Sequence, residues 1–369
     1  MPDIFHVITD QGVGGAGIFL SHLLADQVNR TGSLVLLPTG SLLLSRLREA
    51  GISVAALPLS GERSFSPRDT RLFRAFFKAH RPRLLVTHAS LSARIAAKEL
   101  KIPTLSVRHC DTPVRTLGVP LYNAVTDATV ATSPPLAIRM RRAGIKNVFM
   151  IENGTTHVGE ATKEERQAAR AAYGIPESTL AVGLVGRLAP IKGHECALRA
   201  LAALGEEKQK YLLCFLGDGV EKERLCALAR ALDLSDRVRF YGYASDVRPF
   251  FHALDAHLSC SYGSETSSLS LAEGLTAHLP TFASDTDGNR ERLGAGGRLF
   301  PVKDASALGR LLLSLQNGDE KSRLCAMARA RASCLPVWER TREEYAKLFR
   351  AFCGELVANG CFFRKDMLS

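Results

Sequence analysis

Leu180-Ala181-Val182-Gly183-Leu184-Val185 runs straight into Gly186-Arg187-Leu188-Ala189-Pro190-Ile191-Lys192-Gly193, and a helical pattern follows over Glu195–Leu204. A near-continuous apolar run fits a strand buried on both faces. The glycine-flanked loop and the helix complete a strand–loop–helix unit. That unit recurs along the chain. Strand candidates in the first part are Phe5–Thr9, Ser33–Leu37, Leu84–Thr87, Thr104–Val107, Ala128–Ala131 and Val148–Ile151. After residue 160 they are Ala181–Val185, Tyr211–Leu216, Val238–Tyr241, Ala256–Ser259 and Thr281–Ala283. Helical patterns stand between them over Gly17–Arg30, Leu42–Ala50, Asp69–His80, Ser92–Lys101, Ser133–Ala143 and Glu221–Leu232. The alternation predicts an α/β chain, with parallel sheets covered by helices on both faces.

The pattern appears twice, and a polar, Glu-rich stretch after Asn153-Gly154 separates the two runs. We expect a first doubly wound domain over 1–157, a second over 158–335 and a helical segment over 336–369. In that last segment Trp338, Tyr345, Leu348, Phe349 and Phe352 fall on one helix face, which needs a cover. A length of 369 residues agrees with two domains or three. No short-period repeat points to a solenoid.

Composition narrows the class. Apolar residues make up 46% and charged residues 23%, enough for a buried core. No apolar run approaches the ~18 residues of a membrane span. The N-terminal residues read as a core strand rather than a leader, and the nine cysteines are scattered with no C-x-x-C pair. Both features predict a reducing cytosolic setting and argue against a disulfide framework or a zinc ribbon. The net charge is +11, and residues 1–155 hold 19 Lys/Arg against 10 Asp/Glu, a net of +9 that leaves +2 for the rest. A basic first half favours an anionic partner there, and a generally basic, solvated surface explains the same numbers.

Ligands of doubly wound sheets bind outside the carboxyl ends of the strands, so the loops there carry the functional reading. The loop Asp10-Gln11-Gly12-Val13-Gly14-Gly15-Ala16-Gly17 lets backbone approach a ligand at a helix N-terminus. Gly12, Gly14 and Gly17 spell G-x-G-x-x-G, but no acidic residue ends a clear second strand as a nicotinamide site requires, and a tight structural turn accounts for the glycines equally. In the loop 186–193, Arg187 and Lys192 suit the two sides of a diphosphate, a planar fork and a point charge. The stretch Tyr262-Gly263-Ser264-Glu265-Thr266-Ser267-Ser268-Leu269 precedes a helix capped by Ser267 or Ser268. Glu265 and Glu273 flank that start, fit to accept hydroxyl hydrogen bonds or to serve as a dipole-stabilising charge and a buried helix residue. Two carboxylates also raise glycoside hydrolysis, which the Arg/Lys pair disfavours. Among ten histidines, His109 stands out at a strand end, in Arg108-His109-Cys110-Asp111, ahead of His88 and above His6, His22 and His257. Cys110 reads as incidental, because no other member of a triad accompanies it. No clustered ligand set supports a metal. Helix 69–80 places Leu72, Phe73, Phe76 and Phe77 opposite Arg71, Arg74, Lys78 and Arg81. That pattern suits a helix docked on the sheet with a cationic outer face, and such a face also suits anionic headgroups.

Taken together, Gly186-Arg187-Leu188 with Lys192-Gly193, Leu216-Gly217-Asp218-Gly219, Tyr241-Gly242 and the E-x7-E pair Glu265/Glu273 resemble the retaining GT-B glycosyltransferases of family 4. Ser284-Asp285-Thr286-Asp287-Gly288-Asn289-Arg290-Glu291, Gly297-Arg298-Leu299-Phe300, the loop 12–17 and Asn153-Gly154 fit the same family, so the resemblance spans nearly the whole chain. It implies two Rossmann-like domains facing across a cleft, with the final helix crossing back to the first. It implies that Arg187 and Lys192 bind the donor diphosphate and that Glu273 holds the ribose. Glu265 would contact the donor sugar, beside Ser268 and Leu269. Gly14 and Gly15 would lie close to the phosphates, and His109 near the reacting carbon and acceptor. The implied donor is a nucleoside-diphosphate sugar, UDP ahead of GDP, with no metal and no other cofactor. The implied acceptor is a saccharide or a lipid-linked one, at the inner face of the cytoplasmic membrane, with helix 69–80 as the candidate membrane contact. Thr266, where the family has glycine, and Asp287, in place of another common glycine, depart from the pattern near the expected sugar. A sugar phosphorylase, a nucleotide-sugar epimerase and a silent nucleotide-sugar-binding subunit share the fold, and the full Arg/Lys and E-x7-E set disfavours the last two. The basic half has no aromatic stacking platform, which argues against nucleic acid.

Overall fold

The computed structural model describes residues 3–12, 14–61, 65–109, 114, 116–263 and 268–355. The chain divides into two units, residues 1–154 with 336–369, and residues 155–335.

The first unit is a wholly parallel sheet of seven strands: β1 (Ile4–Val7), β2 (Ser33–Pro38), β3 (Val54–Leu57), β4 (Leu84–Thr87), β5 (Thr104–Arg108), β6 (Ala128–Ala131) and β7 (Val148–Met150). Their order is β3-β2-β1-β4-β5-β6-β7, so the order reverses between β1 and β4. Register pairs Val7 with Thr87 and Thr87 with Ser106. The strand ends of β1, β4 and β5 therefore lie side by side. The connecting helices are α1 (Gly15–Leu23), α2 (Gln27–Arg30), α3 (Leu43–Glu49), α4 (Pro67–His80), α5 (Leu91–Glu99), α6 (Val119–Ala124) and α7 (Pro134–Arg142). The run Gly17–Arg30, expected as one helix, is two. Asp26 ends the first stretch by capping α2, its carboxylate accepting the Asn29 N–H at 2.8 Å. The sequence reading also passed over β3, a half-exposed edge strand with no apolar alternation.

Helix α4 starts two residues before the expected Asp69. Ser66 caps it and Pro67 supplies a fixed φ at its first position. Phe73 and Phe77 are fully buried against Phe5, Val7, Leu36 and Leu85, while Arg71, Lys78 and Arg81 are exposed and Arg74 pairs with Glu99. Core docking accounts for its apolar face.

The second unit is a six-stranded parallel sheet of β8 (Leu180–Val185), β9 (Tyr211–Leu216), β10 (Val238–Gly242), β11 (Ala256–Ser259), β12 (Thr281–Ser284) and β13 (Arg298–Phe300). The order β10-β9-β8-β11-β12-β13 reverses between β8 and β11. Its helices are α8 (Lys163–Ala172), α9 (His194–Ala202), α10 (Lys222–Ala231), α11 (Arg248–Ala253), α12 (Leu269–Thr276), α13 (Asp287–Leu293), α14 (Ala305–Ser314) and α15 (Gly318–Ala332). Alternate strand residues feed opposite layers: Val182, Leu213 and Phe215 pack on one side, and Ala181, Leu212 and Cys214 on the other. This is why β8 and β9 read as unbroken apolar runs.

Helix α16 (Trp338–Arg350) returns to the first unit and buries the face expected to need a cover. Trp338 stacks on His22 at 4.6 Å, Tyr345 meets Phe19, and Phe349 meets His6. Gly154 leaves room for the Trp338 backbone, and the Thr341 hydroxyl donates to the Glu152 carbonyl at 2.9 Å.

One buried ion cluster secures the second unit. Asp255 accepts from Arg166, Arg170, Lys321 and the Ala181 N–H. Burial works to raise its pKa, but Lys321, the Ala181 N–H and Arg166 outweigh burial and hold the carboxyl below its usual range. Removing one member leaves buried charges unpaired. Asp255→Ala should cost about 3–5 kcal/mol of stability, read by urea unfolding. A loss below about 1 kcal/mol would mean that the cluster contributes no more than a surface pair.

Candidate functional site

The glycine-bearing motifs of the second unit converge where its strand order reverses. From β8 the chain enters the loop 186–193, and each neighbour fixes part of it. The Gly186 N–H donates to the Leu216 carbonyl at 2.9 Å, and the Leu188 N–H to the Asp218 carbonyl at 2.9 Å. The Glu221 N–H donates to the Leu188 carbonyl at 3.1 Å, and the Tyr262 N–H to the Ile191 carbonyl at 2.8 Å. The Gly217 N–H reaches the Gly242 carbonyl at 2.7 Å. Four segments, 186–193, 216–221, Gly242 and Tyr262, thus form one backbone lattice. Two glycines make it feasible. Gly193 has φ +70° and Gly217 φ +142°, conformations that other residues rarely adopt. A Cβ on Gly193 would overlap the Cys260 carbonyl, and one on Gly217 would overlap the Gly186 carbonyl.

The lattice positions both cations at the carboxyl end of β8. Arg187 is exposed. Lys192 closes a single 3-10 turn, Pro190–Lys192, with its aliphatic stem over Gly186. Its charge also reaches His194, whose pKa falls to about 3, chiefly through burial and secondarily through Lys192.

Beyond β11, Ser268 caps α12, its hydroxyl accepting the Leu271 N–H at 3.3 Å, and Leu269 opens the helix. The first N–H groups of any helix lack intrahelical acceptors, which leaves this end suited to an anion. Glu273 follows one turn later and is half-buried. Burial lifts its carboxyl to about 7, with Arg292 pulling the other way. Glu265 and Thr266 lie outside the described residues, as does Cys110. Asp287 pairs with Arg290 at 3.1 Å. The fully buried Asn289 ties Ser259 to Ser284, a junction between β11 and β12 that the sequence reading did not single out.

The first unit presents a second set at its own reversal point. Gly14 and Gly15 stand at the start of α1. A Cβ at Gly15 would meet nothing, and one at Gly14 only an ordinary contact at 3.6 Å. Internal packing therefore does not require glycine at these two positions. His109 follows β5, and His88 follows β4 in the neighbouring strand. Nδ1 of His88 lies 2.8 Å from Nε2 of His109, and the rings stack at 5.1 Å. His88 is buried, and its Nε2 meets no partner among the described residues. A buried N–H without an acceptor costs more than an idle lone pair. The proton therefore belongs on Nδ1 of His88, donated to His109. Burial, then the charges of His109 and His6, keeps the pKa of His88 well below its ordinary value. His88 was second choice in the sequence, and its pairing follows from two adjacent parallel strands. His6 and His257 are core residues, with burial lowering each to about 3, and His22 serves as a platform for Trp338.

Residues 165–331 match the family model for glycosyl transferases group 1. Those residues, nearly all of the second unit, are thus similar to glycosyl transferases group 1. Two curated relatives are the putative glycosyltransferase EpsD of Bacillus subtilis and the lipopolysaccharide core biosynthesis glycosyltransferase LpsE of Rhizobium meliloti. EpsD is 28% identical over 51% of this chain and 50% of its own length. LpsE is 29% identical over 52% of this chain and 54% of its own length. The chain thus spans about half the length of the curated relatives it matches. Among solved structures, Anabaena HepE in complex with UDP and glucose is similar over 95% of this chain and 100% of its own, at 19% identity and a TM-score of 0.81. WaaG, a glycosyltransferase involved in lipopolysaccharide biosynthesis, is similar over 94% and 99%, at 16% identity and a TM-score of 0.72. The fold is that of GT-B glycosyltransferases, two Rossmann-like parallel-sheet units.

In the second unit, Glu273 yields a pH signature. Folding raises its carboxyl from 4.5 to about 7, so between those values the folded state keeps a proton that the unfolded chain has lost. Stability falls as pH rises through that window and levels off above it. Glu273→Gln should therefore be the more stable protein at pH 8, by no more than about 3 kcal/mol, with the gap closing by pH 5. Urea unfolding of both proteins across that range checks this, and a gap independent of pH would contradict it.

Proposed function

We propose that the chain is a retaining glycosyltransferase. It moves a sugar from a nucleoside-diphosphate sugar, UDP before GDP, to a saccharide or lipid-linked acceptor in lipopolysaccharide or other surface-polysaccharide synthesis. The observation that carries this reading is the lattice at the reversal point of the second sheet, which holds Arg187 and Lys192 at the end of β8, while Glu273 stands on the helix that follows β11. The names of the relatives support it: HepE was solved with UDP and glucose, and LpsE is named for lipopolysaccharide core synthesis.

Breaking the bond between sugar and diphosphate builds negative charge on the leaving phosphate. Fixed cations and helix N–H groups aimed at that charge stabilise it without reorganising during the reaction. Arg187 supplies a planar fork and Lys192 a point charge, so transfer needs no metal on this account. The first N–H groups of α12, beside Ser268 and Leu269, add to the same field. Glu273, once ionised, accepts hydroxyl hydrogen bonds from the ribose. Glu265 takes the donor sugar. In the first unit Gly14 and Gly15 leave backbone open to a substrate, and His109, aligned by His88, meets the acceptor.

Lys192→Ala should cut turnover on the order of 10²–10³-fold with little change in melting temperature, since it removes one fixed donor to the developing charge. Assays in EDTA with UDP- and GDP-sugars, read by nuclear magnetic resonance of the product anomer, check donor, configuration and metal independence together. Near-wild-type turnover of the variant would remove the clamp from the account. Sugar release that depends on inorganic phosphate would mark a phosphorylase instead.

A further inference from the structure

His88 and His109 follow the carboxyl ends of the paired strands β4 and β5, and Nδ1 of His88 meets Nε2 of His109 at 2.8 Å. The ring centres are 5.1 Å apart and the ring planes 14° from parallel, so the N–H of one ring points along the lone pair of the other. Two neutral arrangements make this bond. In the first, His88 donates, its own Nε2 is a bare lone pair, and His109 carries its proton on Nδ1. In the second, His109 donates from Nε2, its Nδ1 is bare, and the proton of His88 sits on Nε2.

The surroundings of His88 choose between them. The ring is buried, with Phe19 at 5.9 Å and His6 at 6.1 Å, and its Nε2 meets no partner among the described residues. The second arrangement would bury an unpaired N–H there, whereas the first buries only an idle lone pair. That penalty shifts the populations by roughly a factor of ten to a hundred. Adding a proton to His109 leads to the same cost. Its Nε2–H would then need the Nδ1 lone pair of His88, which drives the His88 proton onto the buried Nε2. A base needs a nitrogen with an open lone pair, and in the favoured arrangement His109 has none. Its Nε2 is engaged by His88 and its Nδ1 bears hydrogen.

We propose that His88 is a positioning residue that fixes His109 as a neutral hydrogen-bond donor, which gives its Nδ1 hydrogen to a substrate oxygen and takes no proton from the acceptor hydroxyl. The proposal rests on the transferase reading and narrows it. A hydrogen donated to the attacking oxygen would draw on the lone pairs that the attack requires. The partner of Nδ1 is therefore another oxygen of the donor or the acceptor. His109 binds and orients, in keeping with its half-buried place and with Phe19 packed on its ring at 4.8 Å.

The carboxyl of Glu273, lifted to about 7, ionises in the range where a histidine base would titrate, so a pH–rate profile does not separate the two roles. The tautomer does. Isotopic labelling of the histidines in the full chain, read by long-range proton–nitrogen correlation at about pH 7.5, shows which nitrogen of each neutral ring bears hydrogen. Signals are assigned by their loss in His88→Gln and His109→Gln. We expect hydrogen on Nδ1 and a bare Nε2 in both rings. In His88→Leu, which removes the donor, a measurable share of the His109 proton should move to Nε2. In His88→Gln, whose amide can donate from the same side, it should stay on Nδ1. A merely structural role for His88 would leave that tautomer unmoved. Hydrogen on Nε2 of wild-type His109, or a tautomer that His88→Leu does not change, would overturn the proposal. In transfer assays His109→Gln keeps an N–H donor but cannot take a proton, and its kcat/KM should exceed that of His109→Ala at least about tenfold. Equal values would restore the base. If the wild type transfers no sugar, the transferase reading fails, and the tautomer measurement still decides whether His88 fixes His109.

Discussion

Close backbone packing at the strand reversal of the second sheet is the constraint on which the rest of the account depends. Gly193 lies so near the Cys260 carbonyl, and Gly217 so near that of Gly186, that any side chain would force the loops apart. Because they fit, the exits of β8, β9, β10 and β11 share hydrogen bonds. Arg187 and Lys192 then occupy fixed places at the end of a central strand. A cation on a fixed backbone stabilises developing charge without first paying to be ordered. The apolar sheet below, with Val182 and Ala181 feeding opposite layers, and the Asp255 cluster at the strand bases supply the rigidity.

The first unit follows the same topological rule with different chemistry. Its reversal point lies between β1 and β4, and it carries open glycines and a histidine pair rather than cations on a tight loop. The buried row of His6, His88 and Phe19 connects that pair to Tyr345 and Phe349 of α16. A helix from the end of the chain therefore forms part of the support under His109.

Much of this was legible in the sequence. Leu180–Val185 and Tyr211–Leu216 announce themselves because both faces of those strands are buried and every residue is apolar or glycine. Arg187, Lys192 and Glu273 were singled out by position, in the loop after β8 or on the helix after β11, and the structure places them on those elements. The edge strand Val54–Leu57 was not legible, since half-exposed residues carry no alternation. Nor was Arg298–Phe300, which is too short to show a pattern. The single helix expected over Gly17–Arg30 failed at Asp26, whose capping role competes with helix continuity. Asp255 was invisible for another reason: its partners lie 66–89 residues away, and no local signal reports such a cluster.

On the proposed function, Arg187 and Lys192, held by the glycine lattice, bind a nucleoside diphosphate without a metal. Calorimetric titration of UDP into the wild-type chain and into Arg187→Ala and Lys192→Ala, all in EDTA, tests it most directly. Measurable binding by the wild type and at least about tenfold weaker binding by each variant are expected. Equal affinities in all three proteins, or no binding by the wild type to any nucleoside diphosphate, would contradict it.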